Sequence, residues 1–164
     1  MKRLVALLLC ILVMISISAC TMGTDGTQLN KDTSATEETK APEVDITKYK
    51  KDFDSMQKYL IKMELLSDKK DAKTVMQADI IGAKTGVRYK LDTTNFVEFY
   101  ELDTKATPDE GQKLYDAISS GKTYKVLGVE ELEGVVSGSG KYLMLYPVTS
   151  SYDYSNLEKE FKKF

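Results

Sequence analysis

The sequence predicts an α+β fold, in which an antiparallel sheet of four to five strands packs against three to four helices in a single domain. Two observations carry this prediction. Apolar residues recur at three- and four-residue spacing in several segments, which is the period of amphipathic helices. Other short segments are β-branched or aromatic and are joined in pairs by turn-forming residues, which is typical of β-hairpins.

The first predicted helix begins at Ile46, and Asp45 is placed to cap its N-terminus. The polar residues 67–71 end it. Its apolar stripe consists of Ile46, Tyr49, Phe53, Met56, Tyr59, Leu60, Met63 and Leu66. Stripes of this kind usually face a core, so we expect this helix to pack on the sheet.

A second helix is predicted over residues 72–83 from the spacing of its apolar residues. These are Ala72, Val75, Met76, Ile80 and Ala83. Asp79 lies on the same face, and an inward carboxylate requires a partner such as Arg88. Because Ile80 and Ile81 are β-branched, a strand remains an alternative for this segment.

The next segments predict a hairpin and a helix. Residues 86–91 and 95–102 read as two strands around a short turn. The helix that follows has Thr107 as its N-cap, Pro108 at its first position and Gly121 as its stop.

The last third of the chain predicts a short strand, a second hairpin and a final helix. The strand is at residues 123–128, and the hairpin turns at the Ser-Gly-Ser-Gly of residues 137–140. Residues 142–146 are apolar on both faces, which predicts a central strand covered on both sides. The final helix carries a stripe of Tyr154, Leu157, Phe161 and Phe164, with Ser155 and Glu158 as a capping box.

The first residues have the layout of a secretory signal. Lys2 and Arg3 precede the apolar run of residues 4–15, and small residues follow. A helix of that run spans roughly 18 Å, which is short of the ~30 Å hydrocarbon core of a bilayer. The segment ends at Ile17-Ser18-Ala19-Cys20, which resembles the lipobox of bacterial lipoproteins. The resemblance implies that residues 1–19 are removed and that Cys20 receives a diacylglycerol.

A membrane anchor at Cys20 follows from that resemblance, because two acyl chains hold a protein firmly whereas one holds it marginally. Residues 20–45 then comprise the lipidated cysteine and a polar tether that is expected to be disordered. Residues 46–164 comprise the globular domain. The expected location is the extracytoplasmic face of the cell membrane.

Composition narrows the classes of function. The chain has 23 basic and 25 acidic residues, and this mild acidity argues against nucleic acid as a partner. Histidine is absent, which removes the commonest general base and the commonest metal ligand. No cofactor or metal site is predicted.

Several short motifs fail on spacing or context. Residues 119–123 resemble the end of a P-loop, but the first glycine of that motif is missing upstream. The segment also follows a predicted helix, whereas a P-loop follows a strand, so nucleotide binding is not expected. Glu98 and Glu101 point to opposite sides of one strand, and surface charge is their expected role. The S-x-x-K spacing of a Ser/Lys hydrolase occurs three times in this lysine-rich chain, as chance allows. The three pairs are Ser55/Lys58, Ser67/Lys70 and Ser119/Lys122.

Tyrosine is the best remaining candidate for recognition, since it combines an apolar body with a polar tip. Tyr89, Tyr100, Tyr142 and Tyr146 lie on predicted strands and form a possible binding face. The interpretation favoured for these rings is the rim of a small core, and the binding face is the alternative.

These observations favour a non-enzymatic, lipid-anchored binding domain for a protein or cell-envelope partner that the sequence does not name. The alternatives are a small cell-envelope hydrolase that uses carboxylates or a Ser/Lys pair, and a carrier of a small ligand. The apolar and glycine positions of "IGAKTGVRY", "FVEFYEL" and "GKYLMLY" also resemble small uncharacterised lipoproteins of Gram-positive anaerobes. That resemblance implies no known activity.

Overall fold

Six antiparallel strands form one sheet in the computed structural model, in the order β1-β2-β3-β6-β5-β4. The structure describes residues 42–102, 109–126, 128 and 130–164. The strands are β1 (Lys73–Met76), β2 (Ala83–Lys90), β3 (Phe96–Leu102), β4 (Tyr124–Val126), β5 (Glu130–Val136) and β6 (Tyr142–Pro147). The order joins two three-stranded meanders through the pairing of β3 with β6.

Three α-helices lie among the described residues: α1 (Phe53–Lys62), α2 (Asp109–Ser119) and α3 (Ser155–Phe161). The residues of α1 and α3 share one core cluster with one face of the sheet, and α2 shares a second cluster with the other face. The α+β class and the single domain are thus confirmed, but the sheet has six strands where four to five were expected.

The first helix begins seven residues later than the sequence predicts, at Phe53. Asp45 caps only a 3-10 turn at Ile46–Lys48, where its carboxylate accepts a hydrogen bond from the Thr47 amide at 3.0 Å. The cap of α1 is Asp52, whose Oδ1 accepts from the Ser55 amide at 2.7 Å. A second capping residue, Asp52, therefore begins a separate helix after the 3-10 turn. The spacing of the apolar residues alone does not reveal this break.

The helix predicted over residues 72–83 is wrong. The segment forms β1 and then a 3-10 turn at Asp79–Ile81, so the strand alternative holds, but at Lys73–Met76 and not at the two isoleucines. Pairing with β2 overrides the helical period. Asp79 is exposed on the turn and is not an inward carboxylate.

The two hairpins and the covered strand are confirmed. β2 pairs with β3 and β5 pairs with β6, and all six residues of β6 are buried. Gly121 ends α2 at φ +70°, with its amide 3.0 Å from the carbonyl oxygen of Ile118. The expected cap at Thr107 and Pro108 lies outside the described residues.

The final helix is shorter than its predicted stripe, because α3 spans Ser155–Phe161 and Phe164 lies beyond its end. The stripe of four apolar residues is buried as expected. Ser155 is the first residue of α3 and not its cap, because the carboxylate of Asp153 accepts the hydrogen bond from the Ser155 amide at 3.0 Å. The N-cap position is Tyr154, which makes no side-chain capping hydrogen bond, so the predicted capping box does not form.

Candidate functional site

The four sheet tyrosines do not form an accessible face. Tyr89, Tyr142 and Tyr146 belong to the core under α1 and α3, whereas Tyr100 lies on the α2 side of the sheet. Their exposed fractions are 2, 3, 8 and 5 % in that order. The expectation of a tyrosine-lined binding face is therefore corrected, because alternate strand positions direct these rings into two separate core clusters.

The hydroxyl groups of the buried tyrosines are used inside the fold. Tyr89 donates a hydrogen bond to Oε1 of Gln57 at 3.0 Å, and Tyr142 donates to the carbonyl oxygen of Lys51 at 3.1 Å. Burial raises the pKa of Tyr89 to about 12, and it raises the pKa of Tyr142 as well. These hydroxyl groups donate within the fold, and their rings are part of the core.

A better candidate for recognition is a groove of about 460 Å³ on the α2 side of the sheet, here called the sheet groove. One wall comes from β1 and the 3-10 turn after it, and the other comes from β4 and β5. The floor consists of side chains from β2, β3 and β6. The lining residues are Val75, Met76, Gln77, Ile80, Ile81, Arg88, Glu98, Tyr100, Val126, Glu130, Leu132 and Leu145.

A hydrogen-bonded group of three side chains lies in the floor of the sheet groove. Glu98 is only 3 % exposed, and its Oε1 accepts a hydrogen bond from Nε of Arg88 at 2.8 Å and a second from Nη2. Its Oε2 accepts from the hydroxyl of Tyr100 at 2.8 Å. Burial, followed by the adjacent charge of Glu98, raises the pKa of Tyr100 above its usual range. The buried carboxylate is thus fully paired, as a charge in a core requires.

The strand register brings these residues together. Arg88 lies directly opposite Glu98 in the β2–β3 ladder, and Gly86 lies opposite Tyr100. A Cβ atom on Gly86 would lie 2.4 Å from Cε1 of Tyr100, so only glycine leaves room for the ring to cross the strand. On the other side, the guanidinium of Arg88 stacks on the ring of Phe96 at 3.9 Å from its centroid.

The turn between β2 and β3 maintains that register. Oδ1 of Asp92 accepts hydrogen bonds from the amides of Thr94 and Asn95 at 2.8 and 2.7 Å, and the Asn95 side-chain amide donates to its Oδ2 at 2.7 Å. These bonds, led by the one from the Asn95 side chain, lower the pKa of Asp92 to about 2. An ionised Asp92 thus stabilises the turn that places Arg88 opposite Glu98.

The sheet groove combines apolar walls with a small number of oriented polar groups, which is typical of ligand sites. Arg88 is 35 % exposed and is fixed by Glu98 and Phe96. Its Nη1 has no hydrogen-bond acceptor among the described residues. It can therefore donate to an oxygen of a bound molecule, while Glu130 in the lining can accept from one.

Sequence reasoning missed this group. The expectation that Glu98 is a surface charge is wrong, and Arg88, named with nearby lysines as a possible partner of Asp79, pairs with Glu98 instead. One signal was present: a tight turn at residues 92–94 places Arg88 and Glu98 opposite each other, and both lie on strands rich in apolar residues. Opposite charges at facing positions of a hairpin indicate a cross-strand pair.

The other candidates from the sequence are not brought together. The lysines of the three S-x-x-K pairs, Lys58, Lys70 and Lys122, are all exposed. Among the described residues, no three His, Cys, Asp or Glu side chains gather in a way that could hold a metal ion. Cys20, the expected lipidation site, lies outside the described residues.

Comparison of the chain with protein-family models, with curated proteins and with solved structures found no match in any of the three. Within the part of the chain that the structure describes, no helix is both long and apolar enough to cross a bilayer.

Proposed function

We propose that this protein is a lipid-anchored, extracytoplasmic binding domain and that the sheet groove is its recognition site. The observation that carries the binding function is the hydrogen-bonded Arg88–Glu98–Tyr100 group in the floor of a largely apolar groove. Because Arg88 is held from two sides, its side chain is preorganised and loses little conformational entropy when a ligand binds. The partner is a protein or another component of the cell envelope.

The anchor is supported by the Ile17-Ser18-Ala19-Cys20 tetrapeptide behind a charged and apolar N-terminus. It is tested by growing cells with an alkyne-bearing fatty acid and by comparing the full chain with its Cys20→Ala variant. We expect lipid label on the parent chain and a larger, unlabelled precursor from the variant. Equal labelling of the two chains would refute the anchor while leaving the groove untouched.

The groove is tested by placing a photoreactive amino acid at Ile80, which is 39 % exposed in the groove wall. Val148 has the same exposed fraction and does not line the groove, so it is the matched control. We expect one captured species in cells at Ile80 that is absent at Val148. The same pattern of captured species at both positions would show that the groove has no special role.

A carrier of a small ligand is the second candidate, because a groove of about 460 Å³ lies within the ~300–1,000 Å³ of typical ligand sites. A capture experiment that yields no protein at Ile80, together with a ligand that raises the melting temperature of the parent chain, would favour it. A hydrolase is less well supported, since the lysines of the Ser/Lys pairs are exposed and a general-base lysine requires desolvation.

A further inference from the structure

The edge strand β1 exposes backbone that can pair with another strand. β1 pairs with β2 on one side and is the last strand of the sheet on the other. In an antiparallel pair, alternate residues direct their N–H and C=O groups away from the partner strand. Lys73, Thr74 and Val75 are all exposed, so the outward groups among them are accessible to another chain.

β1 exposes one large apolar side chain, that of Val75. Val75 is 76 % exposed, which is the highest value among the exposed large hydrophobic residues of the described chain. Edge strands are usually protected from pairing by charged side chains, proline or a bulge. Lys73 supplies one charge, but an exposed valine two residues later favours pairing and does not prevent it.

A positively charged cleft lies along this edge, between α1 and β1. It has a volume of about 640 Å³, and we call it the α1–β1 cleft. Its charged lining residues are four lysines, Lys58, Lys69, Lys70 and Lys73, and two aspartates, Asp54 and Asp68. The whole chain is acidic, with a net charge of −2, so this excess of positive charge is a local feature. It attracts an acidic partner.

We propose that β1 binds an extended, acidic segment of a protein partner, which adds to the sheet as a seventh strand. The backbone of β1 supplies the hydrogen bonds of β-strand addition, and Val75 contacts the apolar side chains of the added segment. The lysines of the α1–β1 cleft select for Asp and Glu. A second copy of this chain fits poorly, because antiparallel pairing of two β1 strands would place two net-positive clefts side by side.

Two peptides of equal length test the proposal with the full chain in detergent. One alternates glutamate with valine, and the other alternates lysine with valine. We expect the acidic peptide to bind and to slow hydrogen–deuterium exchange at Lys73–Met76. β4, the edge strand at the opposite end of the sheet, is the internal control and should be unchanged. Exchange that slows at β4 instead, or no binding of the acidic peptide, would overturn the proposal.

Charge reversal separates the proposed selection from general charge effects. Lys69→Glu, Lys70→Glu and Lys73→Glu together should weaken peptide binding by about tenfold or more at low salt. The matched control reverses three exposed lysines elsewhere, Lys122, Lys125 and Lys141, and should leave affinity within about twofold. All six side chains are exposed, so both variants should keep the parent melting temperature. Equal loss in the two variants would contradict a site at β1.

Two further outcomes assign the edge to something else. Anionic lipid vesicles that slow exchange at β1 when the acidic peptide does not would make the lysines a membrane contact. Self-association of the chain without peptide, lost in Val75→Asp, would make β1 an interface between copies. Val75 also lines the sheet groove, so the role of the groove is decided by the cross-linking test at Ile80 and not by the Val75→Asp variant.

Discussion

Removing the guanidinium of Arg88 should destabilise the fold because it leaves a buried carboxylate without its cation. Breaking a buried ion pair costs about 3–5 kcal/mol, and Arg88 is 35 % exposed, which places Arg88→Met near the lower end at about 3 kcal/mol. Glu98, at 3 % exposure, has no route to solvent that would relieve this cost without local opening.

The assay is urea unfolding of the full chain, followed by far-ultraviolet circular dichroism. A loss of about 3 kcal/mol lowers the midpoint by about 1–3 M urea at constant slope. The triple variant Arg88→Met, Glu98→Leu and Tyr100→Phe removes all the polar partners together and should recover to within about 1 kcal/mol of the parent. If the free energy of unfolding of Arg88→Met lies within about 1 kcal/mol of the parent, then Glu98 does not depend on Arg88 for its burial.

Gly134→Ala should destabilise the fold by about 3 kcal/mol or more in urea unfolding, because its Cβ would lie 1.9 Å from the backbone oxygen of Met144 in the neighbouring strand. The control Gly121→Ala has open space around its Cβ and should lose only about 1–2 kcal/mol for its positive φ. Equal losses in the two variants would contradict this prediction. Asp92→Asn should flatten the decline in melting temperature between pH 4 and pH 2. The Asp92 carboxyl, whose folded pKa is lowered to about 2, stabilises the folded state above its unfolded pKa of about 3.9 and loses that contribution as pH falls through 2. An unchanged acid profile of the melting temperature in the variant would exclude Asp92 as the cause. Alkali should unfold the protein between pH 10 and pH 12, because burial raises the pKa of Tyr89 to about 12 and stability is lost as pH rises from the unfolded pKa of about 10 through that value. Absorbance at 295 nm should show the buried tyrosines ionising only as the circular dichroism signal is lost. Ionisation of every tyrosine before that loss would refute the prediction.

The parts of the fold that could be predicted are those encoded locally. The β2–β3 hairpin, the stop of α2 at Gly121 and the covered strand β6 each depend on a few adjacent residues. The helix predicted over residues 72–83 failed because its apolar spacing fits a helix, whereas pairing of Val75 and Met76 with β2 decides the outcome. Their partners, Val87 and Gly86, belong to a separate segment further along the chain, and the period of one segment carries no information about its pairing with another.

The candidate site was harder to predict than the fold. Arg88 and Glu98 are ordinary charged residues until the Asp92 turn places them in register. Tyr100, which donates a hydrogen bond to Glu98, has room for its ring because residue 86 is glycine. The tyrosines were recognised as important, but composition could not distinguish a core ring from a binding ring. Burial of a polar group is a property of the assembled sheet, so a single strand does not reveal it.

The pairing of β3 with β6 has a consequence for how the chain folds. Within each meander, strands that are neighbours in the sheet are also neighbours along the chain, so their pairing closes short loops. β3 and β6 are instead separated by α2, β4 and β5, and aligning Glu101 with Tyr142 closes a long loop at a higher entropy cost. We therefore expect the two meanders to form early and their union to limit the folding rate, so that the middle of the sheet, which is the most deeply buried part, is assembled last.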